Sequence, residues 1–195
     1  MIDSSKIGIF MLNWKERLIK RFHTLNAIKY GDFTLSSGAK SNYYIDARLV
    51  TLDFYGLKAI LEGIEFVTEE HKLEYYYIGG PTLGADPIVG GAITTLFDIN
   101  SGFLIRTKQK DHGTKKLIEG NLPLNSKCLL VEDVITTGNS ITTCLDILGD
   151  NVKVIGIVSV LDRNSGIKNW THHGVSIPYF PLLTLKDLDI RNENL

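Results

Sequence analysis

Residues 128–140 read CLLVEDVITTGNS: an unbroken apolar run meets two adjacent acids, Glu132 and Asp133, and then dissolves into Thr, Gly and Ser. An apolar run without alternation suits a strand covered on both faces. Such a strand has no packing reason to end in paired carboxylates and a loop of small hydroxyl residues. The hydroxyls and backbone amides of Thr136, Thr137, Gly138 and Ser140 can wrap a phosphate at the positive end of the helix that follows. Carboxylates repel phosphate, but they accept hydrogen bonds from sugar hydroxyls and hold Mg2+ through water. A sugar phosphate reconciles the two halves of the stretch. The plainer reading, a capped helix start beside an exposed acidic pair, leaves their sharing of one loop unexplained.

Outward from this stretch the same rhythm repeats. YYYIGG, GADPIVGGAITTLFDI, GFLIRT, KCLLVED, NSITTCLDILGD and VKVIGIVSVLD alternate as β, α, β, loop, β, α, β. Near-continuous strands separated by helices predict an α/β fold, an open twisted mainly parallel sheet flanked by helices. Ligands of such sheets lie beyond the carboxyl ends of the strands, so the chemistry is sought where each strand stops. Upstream, Trp14, Leu18, Ile19, Phe22, Leu25 and Ile28 recur at three- and four-residue steps. They predict an amphipathic helix over residues 13–30, capped by Asn13 and ended by Gly31 and Asp32. Leu57, Ile60, Leu61, Ile64 and Val67 predict a second helix over about residues 53–71. The closing IPYFPLLTLKDLDIRNENL reads as one short strand, one short helix and a polar tail.

The composition suits one domain. The chain has 195 residues, 44% hydrophobic and 22% charged, enough to bury a single core. A net charge of −1 with interspersed signs gives no field to attract nucleic acid or an anionic membrane, so a bound anion must be held by a local site. No apolar run approaches the roughly 20 residues that span a bilayer, and MIDSSKIGIFMLNW shows neither a basic leader nor a small-residue cleavage site. A cytoplasmic protein is expected. Cys128 and Cys144, the two cysteines, lie inside apolar stretches and read as reduced core residues. His71, His172 and His173 offer no third metal ligand and read as solvated surface, while Tyr75, Tyr76 and Tyr77 read as packing residues.

A second strand end, GGPTLGADP, flanks Pro81 and Thr82 with Gly79, Gly80 and Gly84. It reads either as an anion cradle of exposed amides or as a plain connection. A third, RTKQKDHGTKKLIEG, packs Arg106, Lys108, Lys110, His112, Lys115 and Lys116 into one loop, which taken alone is a solvated basic run.

Residues 128–140 resemble the phosphoribosyl pyrophosphate motif of the type I phosphoribosyltransferases: apolar residues, two acids, an apolar pair, then Thr-Thr-Gly and a hydroxyl. The basic loop, with Lys four residues after Arg, then Asp-His-Gly and a closing Ile-Glu-Gly, resembles the mobile catalytic loop of orotate phosphoribosyltransferases. FTLSSGAKSNYYIDAR is similar to that family's N-terminal signature, VSVLDRNSG to its acceptor strand end and GGPTLGADPI to its pyrophosphate loop.

The resemblance implies transfer of ribose 5-phosphate from phosphoribosyl pyrophosphate to orotate, with Mg2+ as cofactor and no nucleic-acid or membrane partner. It implies one domain over residues 1–195, with a small hood from about residues 1–50 plus the C-terminal tail over a core of about 51–175. Lys110, His112 and Asp133 are implied as catalytic. Arg106, Lys110 and His112 would contact pyrophosphate, Glu132 and Asp133 the ribose hydroxyls, and Thr137, Gly138, Asn139 and Ser140 the 5-phosphate, with Val134, Ile135 and Thr136 completing the substrate loop. Thr136 and Arg163 would hold orotate, and Lys40, Tyr44 and Ile45 would line its pocket. The resemblance implies no direct protein ligand for the metal, which would ride on the pyrophosphate and water, with Asp133 a candidate to assist. The family's homodimer, with the mobile loop reaching across into the partner's site, is implied too. Ser36 and Thr107 stand where many relatives carry basic residues, and Asn42 where proline is frequent.

Two other readings stay open on the residues. A type I phosphoribosyltransferase for a purine or for uracil has no use for Arg163, because a neutral base carries no carboxylate. A non-catalytic regulator binding RNA or DNA should show a basic face or an added module.

Overall fold

The computed structural model describes residues 4–34, 40–96, 98–107, 116–163 and 165–190, with side chains from Trp14 onward. Helix α1 (Ser4–Thr24) leads into an antiparallel hairpin, β1 (Ile28–Thr34) and β2 (Lys40–Ile45). A short α2 (Arg48–Thr51) and the longer α3 (Phe54–Glu70) follow. Then come β3 (Tyr77–Pro81), α4 (Asp86–Thr95), β4 (Ser101–Ile105), β5 (Ile118–Gly120), β6 (Lys127–Ile135), α5 (Asn139–Leu148), β7 (Lys153–Asp162), β8 (Asn169–His172) and β9 (Val175–Thr184). Among the described residues the main sheet has the order β5-β4-β3-β6-β7-β9-β8. The five inner strands are parallel, and β5 and β8 run antiparallel at the edges.

The strands are apolar throughout because both faces are covered. Along β6, Leu129 and Val131 face a core shared with α1, α3 and α4, whereas Cys128 and Leu130 face a second core built on α5. Both cysteines are buried free thiols pushed up to about 12 by that burial, which leaves them inert at neutral pH. On the first face Trp14 packs where a side chain at Gly63 of α3 would stand. Arg21 grips the Asp53 carboxylate with Nε at 2.9 Å and Nη2 at 2.7 Å.

The first helix departs from its expected bounds. It ends at Thr24, and Gly31 and Asp32 fall inside β1. Asn26 turns left-handed (φ 49°), Asn26 N–H bonds to His23 O, and Ala27 N–H bonds to Phe22 O. This is a Schellman cap with Asn in the position usually held by Gly. The start also differs, since Asn13 lies within the helix. The second helix agrees with its expected span, and Asp53 caps it by accepting from Gly56 N–H at 2.8 Å. Strands β5 and β8 carry no signal that separates them from loops. His173 and Gly174, both at positive φ, make the two-residue turn of a β8–β9 hairpin where a polar turn alone was expected.

The sheet divides where the chain order reverses. From β3 the chain moves outward to β4, then returns to place β6, β7 and β9 on the other side. Strand β3 pairs with β6 only as far as Gly79 and Leu130, while β6 continues against β7 to Ile135 and Asp162. A crevice therefore opens between the carboxyl ends of β3 and β6, the place where open α/β sheets bind ligands.

Candidate active site

Four adjacent strand ends contribute to this crevice, in the order β4, β3, β6, β7. At roughly 4.8 Å per strand they span about 14 Å.

Arg106 follows β4 directly. Its N–H donates to Leu117 O at 2.8 Å, and its Nε donates to Glu119 Oε1 at 3.0 Å, which ties the two ends of the basic loop together. Lys110 and His112 lie outside the described residues, as does Ser36. Thr107 is exposed at the start of the loop.

The glycines of the β3 turn serve close packing. A side chain at Gly79 would strike Phe103, one at Gly80 would strike Val131 O, and one at Gly84 would strike the Asp133 carboxylate. Thr82, Ala85 and Asp86 already spend their amides on Ile105, Pro81 and Leu83 carbonyls. The turn thus brings backbone against the acidic strand end.

Glu132 and Asp133 project from β6 inside the strand rather than beyond it, because pairing with β7 continues past them. Glu132 is only 8% exposed. Burial first, then the neighbouring Asp133 charge, raises its pKa to about 8, and a hydrogen bond with Ser140 only partly offsets this. Burial also raises Asp133, against the opposing effects of the Val134 N–H and of Arg48. That influence marks Arg48 as a neighbour of the acid pair, a residue sequence reasoning missed although it lies in the quoted YYIDAR stretch.

After Ile135 the chain turns through Thr136 and Thr137, both exposed, to Gly138, which caps α5 at φ 77°. Thr142 N–H is bonded to Gly138 O, so the amides of residues 139–141 have no acceptor within the helix. They point their N–H groups out of the positive end, beside the two exposed hydroxyls.

Arg163 follows β7 and donates its N–H to Ile135 O at 2.9 Å, so it stands next to Thr136. Its guanidinium lies 4.8 Å from the centre of the Tyr43 ring, and its buried Nε has no hydrogen-bond partner. Strand alternation separates the expected pocket residues. Ile45 is buried on the same side of β2 as Tyr43, whereas Tyr44 packs at a tilt against Phe33 and Lys40 donates to Thr34 on the other side. Tyr43 was not singled out from sequence, because two adjacent tyrosines reveal their faces only once β2 is paired.

The expected surface and packing residues fall outside this crevice. His71 stacks on Phe180, and His173 pairs with Asp150. Tyr76 lines a cleft with Glu65, Glu69 and Glu74 at the opposite, amino ends of the strands, where the acidic lining suits no phosphate. Among the described residues no group of three or more His, Cys, Asp or Glu side chains forms a metal cage.

Residues 78–181 match the family model described as "Phosphoribosyl transferase domain". The chain is 40% identical to an orotate phosphoribosyltransferase of Pyrococcus horikoshii over 180 residues, covering 91% of this chain and 94% of that one. It is 33% identical to an orotate phosphoribosyltransferase of Methanococcus maripaludis, covering 97% and 99%. The crystal structure of Mycobacterium tuberculosis orotate phosphoribosyltransferase in complex with 5-phospho-alpha-D-ribosyl 1-diphosphate (PRPP) superimposes with a TM-score of 0.69 at 28% identity, covering 91% and 99%. With likeness running along nearly the whole chain and the acid pair, amide cradle and arginine meeting at one crevice, the chain belongs to the orotate phosphoribosyltransferase family.

Proposed function

We propose that the protein transfers ribose 5-phosphate from phosphoribosyl pyrophosphate to orotate, releasing pyrophosphate and forming orotidine 5'-monophosphate for pyrimidine nucleotide synthesis. The observation that carries the choice of acceptor is Arg163, whose buried Nε has no partner. A guanidinium held half out of water beside the sugar site suits a carboxylated pyrimidine, which it meets with two parallel N–H donors. A neutral base leaves those donors unpaired.

In this reading the substrate lies along the row of strand ends. Its diphosphate faces Arg106 and the basic loop with Lys110 and His112, and its ribose hydroxyls donate to Glu132 and Asp133. Its 5-phosphate meets the amides and hydroxyls of Thr137, Gly138, Asn139 and Ser140. Val134, Ile135 and Thr136 carry the chain between these subsites, and Thr136 joins Arg163 at the base. The β1–β2 hairpin, which brings Tyr43 against Arg163, acts as part of the hood over the 51–175 core, with Lys40, Tyr44 and Ile45 on its two faces.

The bond from C1 of ribose to the pyrophosphate oxygen breaks as the C1–N bond to orotate forms, through a sugar that gains positive charge, and the N1 proton of orotate passes to the departing pyrophosphate. Glu132 and Asp133 hold the ring through its hydroxyls, and the Asp133 carboxylate favours the positive charge on the sugar. Arg106, Lys110 and His112 stabilise the charge gathering on the departing pyrophosphate.

Among the described residues no protein cage surrounds the acid pair, and its oxygen donors fit a hard cation, so Asp133 would help to hold a Mg2+ through water beside the diphosphate. When bound, the ion supplies charge neutralisation on the leaving group.

A homodimer with the loop shared between subunits is part of the proposal. Leu52, Phe54 and Tyr55, 73%, 72% and 65% exposed, form an apolar patch around the start of α3 that suits a second copy. No described helix is long and apolar enough to cross a membrane, and a cytoplasmic location with no nucleic-acid partner completes the reading.

The deciding measurement follows orotate absorbance with phosphoribosyl pyrophosphate and Mg2+, repeated with uracil and adenine. Orotate alone should be consumed. Consumption of uracil or adenine at a comparable rate would overturn the assignment of the acceptor.

A further inference from the structure

We propose that Trp170, on the edge strand β8, is a positioning residue for the phosphate loop and acts through Gly138. The inference rests on the substrate's 5-phosphate meeting the N-terminus of α5. Whatever fixes Gly138 fixes the direction of the amides that follow it, because Gly138 is the helix cap and its φ of 77° is one that L side chains rarely adopt. Two side chains press on its open face. A β-carbon at 138 would lie 2.7 Å from Trp170 Cζ2 and 2.8 Å from Ile167 Cδ1.

Hydrogen bonds reinforce the packing. Trp170 Nε1–H donates to Thr142 Oγ1 at 3.3 Å, and the Thr142 hydroxyl donates to Gly138 O at 3.2 Å. The indole therefore reaches the cap carbonyl through a single hydroxyl. Trp170 is itself held edge-on by Tyr179, ring centres 5.2 Å apart, and Tyr179 hydrogen-bonds Ser159 at 2.6 Å. Ser159 stands opposite Glu132 in the β6–β7 ladder. One chain of contacts thus runs from the strand that holds the ribose acids, through buried Ser159, Tyr179 and Trp170 and the Thr142 hydroxyl, to the cap that faces the phosphate. Ile167 adds a second link, since its N–H bonds to Ser165 Oγ, which bonds the Asp162 carboxylate next to Arg163.

A residue that only filled the core would affect both substrates alike when replaced. A residue that aims the amides acts on the phosphate substrate alone. Trp170→Phe keeps an aromatic side chain in place of the indole and removes the N–H, and should raise the KM for phosphoribosyl pyrophosphate roughly fivefold, the weight of one neutral hydrogen bond. Trp170→Leu removes the wall as well and should raise it about tenfold or more, with the KM for orotate nearly unchanged.

Fluorescence reads the same contact directly, because the chain has two tryptophans and Trp14 lies on the other face of the sheet. In a Trp14→Phe background, ribose 5-phosphate should bind by calorimetry and change the Trp170 emission saturably. Calorimetric binding with unchanged emission overturns the proposal. So does wild-type affinity for ribose 5-phosphate in either folded Trp170 variant, or equal effects on both substrates. Absence of ribose 5-phosphate binding to the unaltered protein overturns the phosphate-site reading itself and the proposal with it.

Discussion

At the scale of single residues, the acid pair governs how the protein responds to pH. Glu132 ionises near its ordinary value of 4.5 in an unfolded chain and near 8 in the fold. Between those values the folded state holds a proton that the unfolded state has lost. Its contribution to stability is therefore complete below the lower value and disappears as pH rises through the upper one. Glu132→Gln keeps the neutral shape, so the variant should gain about 2 kcal/mol relative to wild type between about pH 6 and about pH 9 in urea unfolding, while losing activity. Equal pH profiles would show that Glu132 is ionised throughout. In the proposed site Arg163 selects the acceptor. Arg163→Lys replaces a planar two-pronged donor by a point charge and should raise the orotate KM about tenfold or more, with the KM for phosphoribosyl pyrophosphate within about threefold of wild type. Equal changes for the two substrates would remove Arg163 from the orotate pocket.

At the scale of elements, α1 is joined to α3 through one carboxylate. Asp53 caps α3, and the same side chain takes both donors of Arg21. Burial works against the charge of Asp53, but Arg21 and the amides of Gly56 and Tyr55 outweigh it and hold its pKa below the usual value. Asp53→Ala should cost about 1–2 kcal/mol and lower the Tm by roughly 2–8 °C in a scanning calorimeter, with no change in the KM of either substrate. Elements with strong periodicity were legible in advance: α3, α4, α5 and the inner strands β3, β4, β6 and β7. The end of α1 was not, because Leu25 and Ile28 continue the helical spacing across a break that Asn26 makes. Strands β5 and β8 were invisible for a different reason: three or four residues at a sheet edge draw their structure from the neighbour they pair with.

At the scale of the whole molecule, the proposed site needs two chains. A Lys110→Ala chain keeps its own acid pair, and an Asp133→Asn chain keeps its own loop. If the loop works across the dimer, a mixture of the two inactive variants should recover about a quarter of wild-type activity, since half the dimers are mixed and each has one complete site. Phe54→Asp on both chains should prevent the recovery by charging the exposed patch. No recovery on mixing, under conditions where the dimers exchange, would place the loop in its own chain's site.

The sequence by itself determined the class of fold and the chemical character of each strand end, because both depend on local pattern. Unalternated apolar strands require cover on both faces, and acids followed by Thr-Thr-Gly offer carboxylate acceptors beside hydroxyl and amide donors. Only the tertiary structure decided which strand ends are neighbours, that Tyr43 rather than Tyr44 lies under Arg163, and that the glycines before Asp86 are there for close backbone approach. It also decided that an edge tryptophan stands behind Gly138 at the start of α5. Those facts depend on strand order and on which face of a paired strand is buried, and neither is a property of any one segment.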